Sequence, residues 1–287
     1  MYLLLDIGGS KTRVAMSEDL KRFQEEPHVV DSSASFEEEI AHIVSSVKTM
    51  GGAAIAGVAV GMKGSYDPRK DKTMKVPGKP SWEGKNLASE FERAFGVRPR
   101  IANDTALVGL GEAHFGAGQG SDILAYMTVS TGVGGARIVH GKIDAAHFNF
   151  EPGHQIIDLG GNICPECNTH STIGSGRLEE YSGGAAFEKR FGVKPHDVTN
   201  KKIWEEAAKT FAVGLHNTIV HWSPDTVVLG GSMIEGIKGP GIAPEDVAKS
   251  LKEIMWVFPE IPDIKKAALG DFGGLYGGMA LLGLVRK

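Results

Sequence analysis

The spacing of apolar residues changes repeatedly along this chain, and each change marks an element. Residues 2–5 and 12–16 are short apolar runs that predict strands. Between them lies Asp6-Ile7-Gly8-Gly9-Ser10-Lys11, a glycine-rich turn, so the unit reads as a β-hairpin. Over 37–50 the period lengthens, and Ile40, Ile43, Val44 and Val47 share one helical face. An apolar run over 53–60 predicts a buried strand. Residues 85–95 predict an amphipathic helix stopped by Gly96, and 98–102 another strand. Asn103-Asp104-Thr105 then opens a helix running to about Phe115.

Residues 116–121 are glycine-rich and polar and predict a surface turn near a lobe boundary. The opening pattern then returns: a strand over 123–129, the turn Ser130-Thr131-Gly132-Val133-Gly134-Gly135, and an apolar run over 136–139. Two hairpins of one kind head the two halves, a weak internal repeat that predicts two similar α/β lobes. Further on come a helix over 203–222, a strand over 226–229 ending in Gly230-Gly231-Ser232, a helix over 244–255, a strand over 265–269 and a last helix over 275–286. The Gly277-Gly278 pair lowers helix propensity there and predicts close helix packing.

Composition narrows the class. A chain of 287 residues, 41% apolar, fits two domains with substantial cores. The net charge is −4, and the one basic stretch, 69–75, is interrupted by Asp71, so no clustered basic face points to nucleic acid. The opening MYLLLD lacks the basic region of a signal peptide, and the longest apolar runs, 53–62 and 279–285, are too short to span a bilayer. A soluble cytoplasmic protein without nucleic-acid or membrane partners is expected. The two cysteines, Cys164 and Cys167, lie three apart, which argues against a disulfide framework and leaves a metal site or redox pair.

In the first turn, Gly8 and Gly9 let backbone N–H groups approach an anion, while Ser10, Lys11 and Thr12 add donors. Asp6 has the wrong sign for phosphate unless a cation lies between, which suggests Mg²⁺. The alternative is an ordinary hairpin with a solvated aspartate. The second turn repeats this chemistry with Thr131 and Gly132, and two such loops can hold one polyphosphate from opposite sides. Gly230 and Gly231 could admit adenine or ribose, or simply end a strand. No GxxxxGK[ST] is present, and Gly116-Ala117-Gly118 follows no strand, which disfavours P-loop and dinucleotide folds. Asn103-Asp104 sits where a strand end meets a helix start, the place of ligands in open α/β sheets and equally of an N-cap. Glu151, His154 and Glu179 offer hydrogen bonds to sugar hydroxyls. His154, Cys164, Cys167 and His170 form H-x9-C-x2-C-x2-H, a donor set for tetrahedral Zn²⁺, against two free thiols and two surface histidines.

Over nearly its whole length the sequence resembles the ROK sugar kinases, named for repressor, open reading frame and kinase. The markers occur in family order: Asp6 through Arg13, Trp82 with Gly84, Asn103-Asp104, Ser130 through Gly135, Glu151-x-Gly-His154, Leu178-Glu179 with Ser182-Gly183, Gly230-Gly231, and the terminal helix from Gly274. The resemblance implies an α/β, actin-like ATPase (ribonuclease H-like) fold with a cleft between two lobes. A small lobe is expected over 1–105, completed by 275–287, and a larger one over 106–274. It implies Asp104 as catalytic base and Asn103, Asp104, Glu151, His154 and Glu179 as the sugar-binding set. ATP with Mg²⁺ would meet Asp6, Gly8, Gly9, Ser10, Lys11, Thr12, Thr131, Gly132, Gly230 and Gly231. The acceptor would be the 6-OH of a hexose or N-acetylhexosamine, the assembly a homodimer, and His154 would serve sugar and zinc through different ring nitrogens.

The chain also departs from the family. Cys164 keeps its place, the second cysteine is one residue late, and Arg177 stands where a third belongs, with His170 as the replacement ligand. Residues 145–150 lack the usual glycine-rich run before Glu151, and 64–73 departs too. Three hypotheses follow. A kinase needs Asp104 and both phosphate turns, all present, with general-base help of roughly 10²–10⁴ in rate. A sugar-responsive repressor needs a DNA-binding module ahead of the first turn, for which residue 6 leaves no room; a sugar-sensing regulator without one is the alternative. A non-catalytic zinc-stabilised binding protein would need Asp104 or the phosphate loops to be degraded, and all are present.

Overall fold

The computed structural model describes residues 1–51, 54–163, 175–236 and 239–284. Contacts group the chain into two units: 1–116 with 147–149 and 269–287, and 117–146 with 150–268.

The first unit is built on the strands β1 (Tyr2–Ile7), β2 (Lys11–Ser17), β3 (His28–Asp31), β4 (Gly57–Met62) and β7 (Arg100–Asn103), in the order β3-β2-β1-β4-β7. The β1–β2 and β2–β3 pairs are antiparallel, and β1–β4 and β4–β7 are parallel. Strand alternation splits β1 between two cores. Leu3, Leu5 and Ile7 pack with Val14, Met16 and the helices α1 (Phe36–Thr49) and α2 (Leu87–Phe95). Leu4 packs on the other face with Leu275 and Met279. The small hairpin of β5 (Tyr66–Asp67) and β6 (Lys72–Thr73) is fastened to α2 by Asp71, whose carboxylate accepts from the Ala88 and Ser89 amides at 2.8 and 3.0 Å.

The helix α3 (Asp104–Phe115) lies against the last helix, α9 (Gly273–Gly283), closely enough that side chains are excluded from the seam. A Cβ on Gly111 would stand 2.8 Å from the Gly277 nitrogen, and one on Gly277 would stand 2.6 Å from the Leu107 carbonyl carbon. The expected reason for glycines in the last helix therefore holds. Contacts place all of α3 in the first unit, the division falling after Gly116.

The second unit repeats the plan. Its strands are β8 (Ile123–Val129), β9 (Val133–Val139), β10 (Lys142–Ile143), β11 (Thr226–Gly230) and β12 (Asp263–Lys266), ordered β10-β9-β8-β11-β12. The antiparallel and parallel pairs fall in the same sequence as in the first unit. Ala125, Met127, Val129, Val227 and Leu229 bury against α6 (Lys201–Trp222) and α8 (Pro244–Ile254), with α4 (Glu179–Ser182), α5 (Gly184–Phe191) and α7 (Ser232–Glu235) completing the unit. No helix among the described residues is long and apolar enough to cross a membrane.

Two strands lie away from their expected positions. Among the described residues of the run over 53–60, the strand starts at Gly57, and it continues to Met62 because it pairs in register with β1 to Ile7. The strand expected over 265–269 sits at Asp263–Lys266, where Thr226 of β11 meets Asp263. Cross-strand register, not local hydropathy, sets both.

Candidate active site

Three parallel strands of the first unit, β1, β4 and β7, end side by side: Ile7 pairs with Met62, and Met62 with Asn103. The carboxyl ends of such strands are where α/β sheets gather ligands. Beyond β1 lies the turn from Gly8 to Lys11. Beyond β4 lies Lys63, whose amide continues the ladder by donating to the Ile7 carbonyl at 3.3 Å. Beyond β7, α3 begins.

Asn103, not Asp104, caps that helix: its Oδ1 accepts from the Ala106 amide at 3.1 Å while its Nδ2 donates to the Gly64 carbonyl at 3.4 Å. Asn149 donates to the same carbonyl at 3.0 Å. Asp104 is the first helical residue, half-buried, with Oδ1 accepting from the Thr105 amide at 2.8 Å. Its surroundings are mostly protein, and this desolvation pushes its carboxyl above the usual range, against the backbone bond of Thr105 and the charge of Lys63.

Asp6 is 7% exposed and shares its strand face with Leu4. A Cβ on Gly61 would stand 3.6 Å from its Oδ1, and one on Gly274, in the first turn of α9, 2.7 Å from its Cγ. The carboxylate therefore packs beside Gly61 and against Gly274, where a side chain would displace it. Arg13 reaches Asp6 at 3.6 Å and Asp271 at 3.4 Å. Burial first, and then the charge of Asp104, push the Asp6 carboxyl up to about 7, with Arg13 opposing.

The first turn is closed by the Gly8 amide donating to the Lys11 carbonyl at 3.0 Å. Gly9 and Ser10 are exposed at its tip. Lys11 pairs with Asp31 across the sheet at 2.5 Å. Thr12, expected to offer its hydroxyl to phosphate, is instead fully buried, and that hydroxyl donates to Glu39 and Ser32. Glu39, with no exposed surface, also meets the buried Lys79 ammonium at 3.8 Å, and Ser32 hydrogen-bonds the Gly8 carbonyl at 3.1 Å. A dry polar network thus props the turn from beneath.

In the second unit the equivalent turn follows β8. Thr131 is exposed, and a Cβ on Gly132 would stand 2.9 Å from Glu179 Oε2. His154 Nδ1 lies 3.3 Å from Glu179 Oε1, so one carboxylate joins the turn to the imidazole. Glu151 is exposed and opens the short 3-10 turn Pro152–His154, its carbonyl accepting from the His154 amide at 3.1 Å. Ser130, absent from the expected set, is the hub of this cluster. Its carbonyl accepts from the Gly184 amide at 2.7 Å, and its Oγ accepts from Ser232 N at 3.2 Å. Gly231, at φ +92°, leads into Ser232, and Gly230 is buried against the Tyr126 hydroxyl.

The structure thus gathers Asp6, the first turn, Asn103 and Asp104 in one unit and Thr131, Gly132, Glu179, His154 and Gly231 in the other. Cys164, Cys167 and His170 lie outside the described residues, so of the expected zinc ligands only His154 is described. Among the described residues no group of three or more histidine, cysteine or acidic side chains could hold a metal. Sequence reasoning missed Lys63, Arg13 as a partner of Asp6, Asp271, and the Glu39–Lys79 pair. Arg13 stood in the quoted motif, and Lys63 follows a strand whose end was placed too early.

A model of the ROK family matches residues 2–284. The N-acetyl-D-glucosamine kinase of Vibrio parahaemolyticus serotype O3:K6 is 26% identical, over 96% of this chain and 98% of that one. Among solved structures, the ROK hexokinase of Thermus thermophilus superposes with a TM-score of 0.81 at 24% identity, covering 100% of this chain and 99% of that one. The ROK family glucokinase of Streptomyces griseus, solved with glucose and AMPPNP, gives 0.78 at 21%, covering 98% of each. The α/β fold with its duplicated sheet order is the actin-like, ribonuclease H-like ATPase fold expected from the sequence.

Proposed function

The chain belongs to the ROK family, and on that premise we propose that it is an ATP-dependent sugar kinase that phosphorylates the 6-OH of a hexose or N-acetylhexosamine. The observation that carries the reading is the placement of Asp104: a carboxylate raised by burial, at the start of α3, two strands across from a glycine-rich turn. A base is most effective when its pKa approaches the working pH, and burial moves Asp104 in that direction.

In this reading Asp104 takes the proton of the attacking hydroxyl. Asn103, Glu151, His154 and Glu179 orient the sugar, and the Glu179 carboxylate fixes the ring nitrogen through which His154 donates. Gly8, Gly9, Ser10, Lys11, Thr131 and Gly132 cradle the phosphates, with Thr12 holding the first turn in shape from inside. Gly230 and Gly231 border the nucleoside. Asp6 offers one hard oxygen donor, paired with Arg13 at 3.6 Å, and the remaining ligands of a cation would come from the nucleotide phosphates and water. Bound there with the nucleotide, Mg²⁺ would neutralise charge on the transferring phosphoryl group. Zinc on His154, Cys164, Cys167 and His170 would order the loop that follows Glu151.

A screen of monosaccharides with ATP and Mg²⁺, read by ADP release, tests the proposal. Sugar-dependent ADP release from one or more hexoses is expected. Tight binding of a sugar with no turnover of ATP would defeat it in favour of a sugar-sensing regulator.

A further inference from the structure

One charged group at the strand ends has no role in the scheme above. Lys63 follows β4 directly, between the turn after β1 and the helix after β7. It is half-buried, and no described carboxylate lies within ion-pair range of its ammonium. A Cβ on Gly9 would stand 3.6 Å from Nζ, an ordinary contact distance, so the ammonium lies beside the tip of the glycine-rich turn. Asp104 begins the helix beyond the adjacent strand, and the charge of Lys63 draws that carboxyl down against the burial that pushes it up. Burial first, and then the charge of Lys63, depress the Lys79 ammonium, with Glu39 opposing, so the two cations share one field. A half-buried ammonium with no ion pair among the described residues keeps hydrogen-bonding capacity for an arriving anion.

We propose that Lys63 is a further catalytic residue, whose ammonium binds a non-bridging oxygen of the ATP γ-phosphate above Gly9 as that group passes to the sugar. The inference rests on the kinase reading. In the step, the sugar oxygen forms a bond to the γ-phosphorus while the bond from that phosphorus to the β,γ-bridging oxygen breaks. The hydroxyl proton goes to Asp104, and the electron pair of the broken bond leaves on ADP. Negative charge spread over the γ-oxygens is what a fixed ammonium stabilises. Its position suits no other phosphate of the nucleotide as well, because Lys63 and Asp104 are on adjacent strand ends and the base must lie beside the reacting group.

The test compares ATP with ADP, each with Mg²⁺, by titration calorimetry on the parent, Lys63→Met and Lys63→Arg. The Met variant should lose about tenfold in ATP affinity while ADP affinity stays within about twofold, since only ATP carries the contacted group. Its kcat should fall at least about 10²-fold with the sugar KM within about threefold, and Arg should restore part of both losses. Lys63→Gln serves the same comparison if Met disturbs the turn, judged by melting temperature. A folded variant in which both nucleotides weaken equally, or neither does, overturns the role of Lys63. If that happens while the parent still prefers ATP and phosphorylates a sugar, the kinase reading stands alone. A parent that binds neither nucleotide defeats both.

Discussion

Replacing Asp6 with asparagine should remove a pH-dependent weakness from the nucleotide-free protein. The Asp6 carboxyl ionises near 3.8 in an unfolded chain and near 7 in the folded one. Between those values the folded state keeps a proton that the unfolded state has released, so stability falls as pH rises through the window and levels off above it. At pH 8 the full shift of about three units amounts to about 4 kcal/mol, and at pH 5 to under about 2 kcal/mol. The parent should therefore lose about 2–3 kcal/mol between pH 5 and pH 8 that the Asp6→Asn variant does not lose. For a unit of this size that is roughly 5–10 °C in melting temperature. Calorimetric melts of both proteins, with chelator and without nucleotide, give the difference of differences, in which groups not coupled to Asp6 cancel. The constant offset between the proteins contains the lost Arg13 contact and carries no weight. Parallel melting curves against pH for parent and variant would refute the reasoning, because burial beneath Gly274 would then not desolvate the carboxylate.

The remaining predictions are independent of that one. Asp104→Asn should leave sugar affinity nearly intact and lower kcat by at least about 10²-fold, and steady-state kinetics within about threefold of the parent would take the base role from Asp104. Gly277→Leu should destabilise the first unit by more than about 3 kcal/mol, because the added atoms meet the α3 backbone at Leu107, and removal of the chain from Leu275 onward should do at least as much; unchanged denaturant midpoints would count against the seam. Protein purified without chelator should carry one zinc per chain on His154, Cys164, Cys167 and His170, and metal analysis finding well under half an equivalent, with activity indifferent to a strong chelator, would remove the metal and leave the kinase reading in place.

Much of the scaffold was legible because strongly apolar elements announce themselves. The period of 123–129 and the polar start and glycine stop of the flanking helices gave β8, α2 and α3 nearly to the residue. The twofold plan was visible in two glycine-rich turns alone. What escaped depends on pairing. The edge strand β3 alternates between half-exposed and exposed and has no apolar run to mark it. β12 takes its register from β11. At the site, glycines and charged residues stood out by type, yet their partners did not. Nothing local says that Thr12 turns inward to Glu39, or that Asn103 rather than Asp104 caps α3. Lys63 was hidden because a lysine after a strand is ordinary until the neighbouring strand ends are known.

The glycine seam between α3 and α9 also bears on how the protein is made. The chain for α3 and the chain for α9 are separated by the residues of the whole second unit, which runs over 117–268 apart from 147–149. Emerging from the ribosome at roughly 5–20 residues per second, the second unit is complete in sequence before α9 exists. During that interval the first sheet has strands β1, β4 and β7 but lacks the helix that covers Leu4 and Ala59, and Gly111 has no partner. Asp6 likewise waits for Gly274 to pack against it. The surroundings of Asp6 are thus complete only after the final helix docks, so a nascent chain stalled before residue 273 should present an apolar sheet face to chaperones.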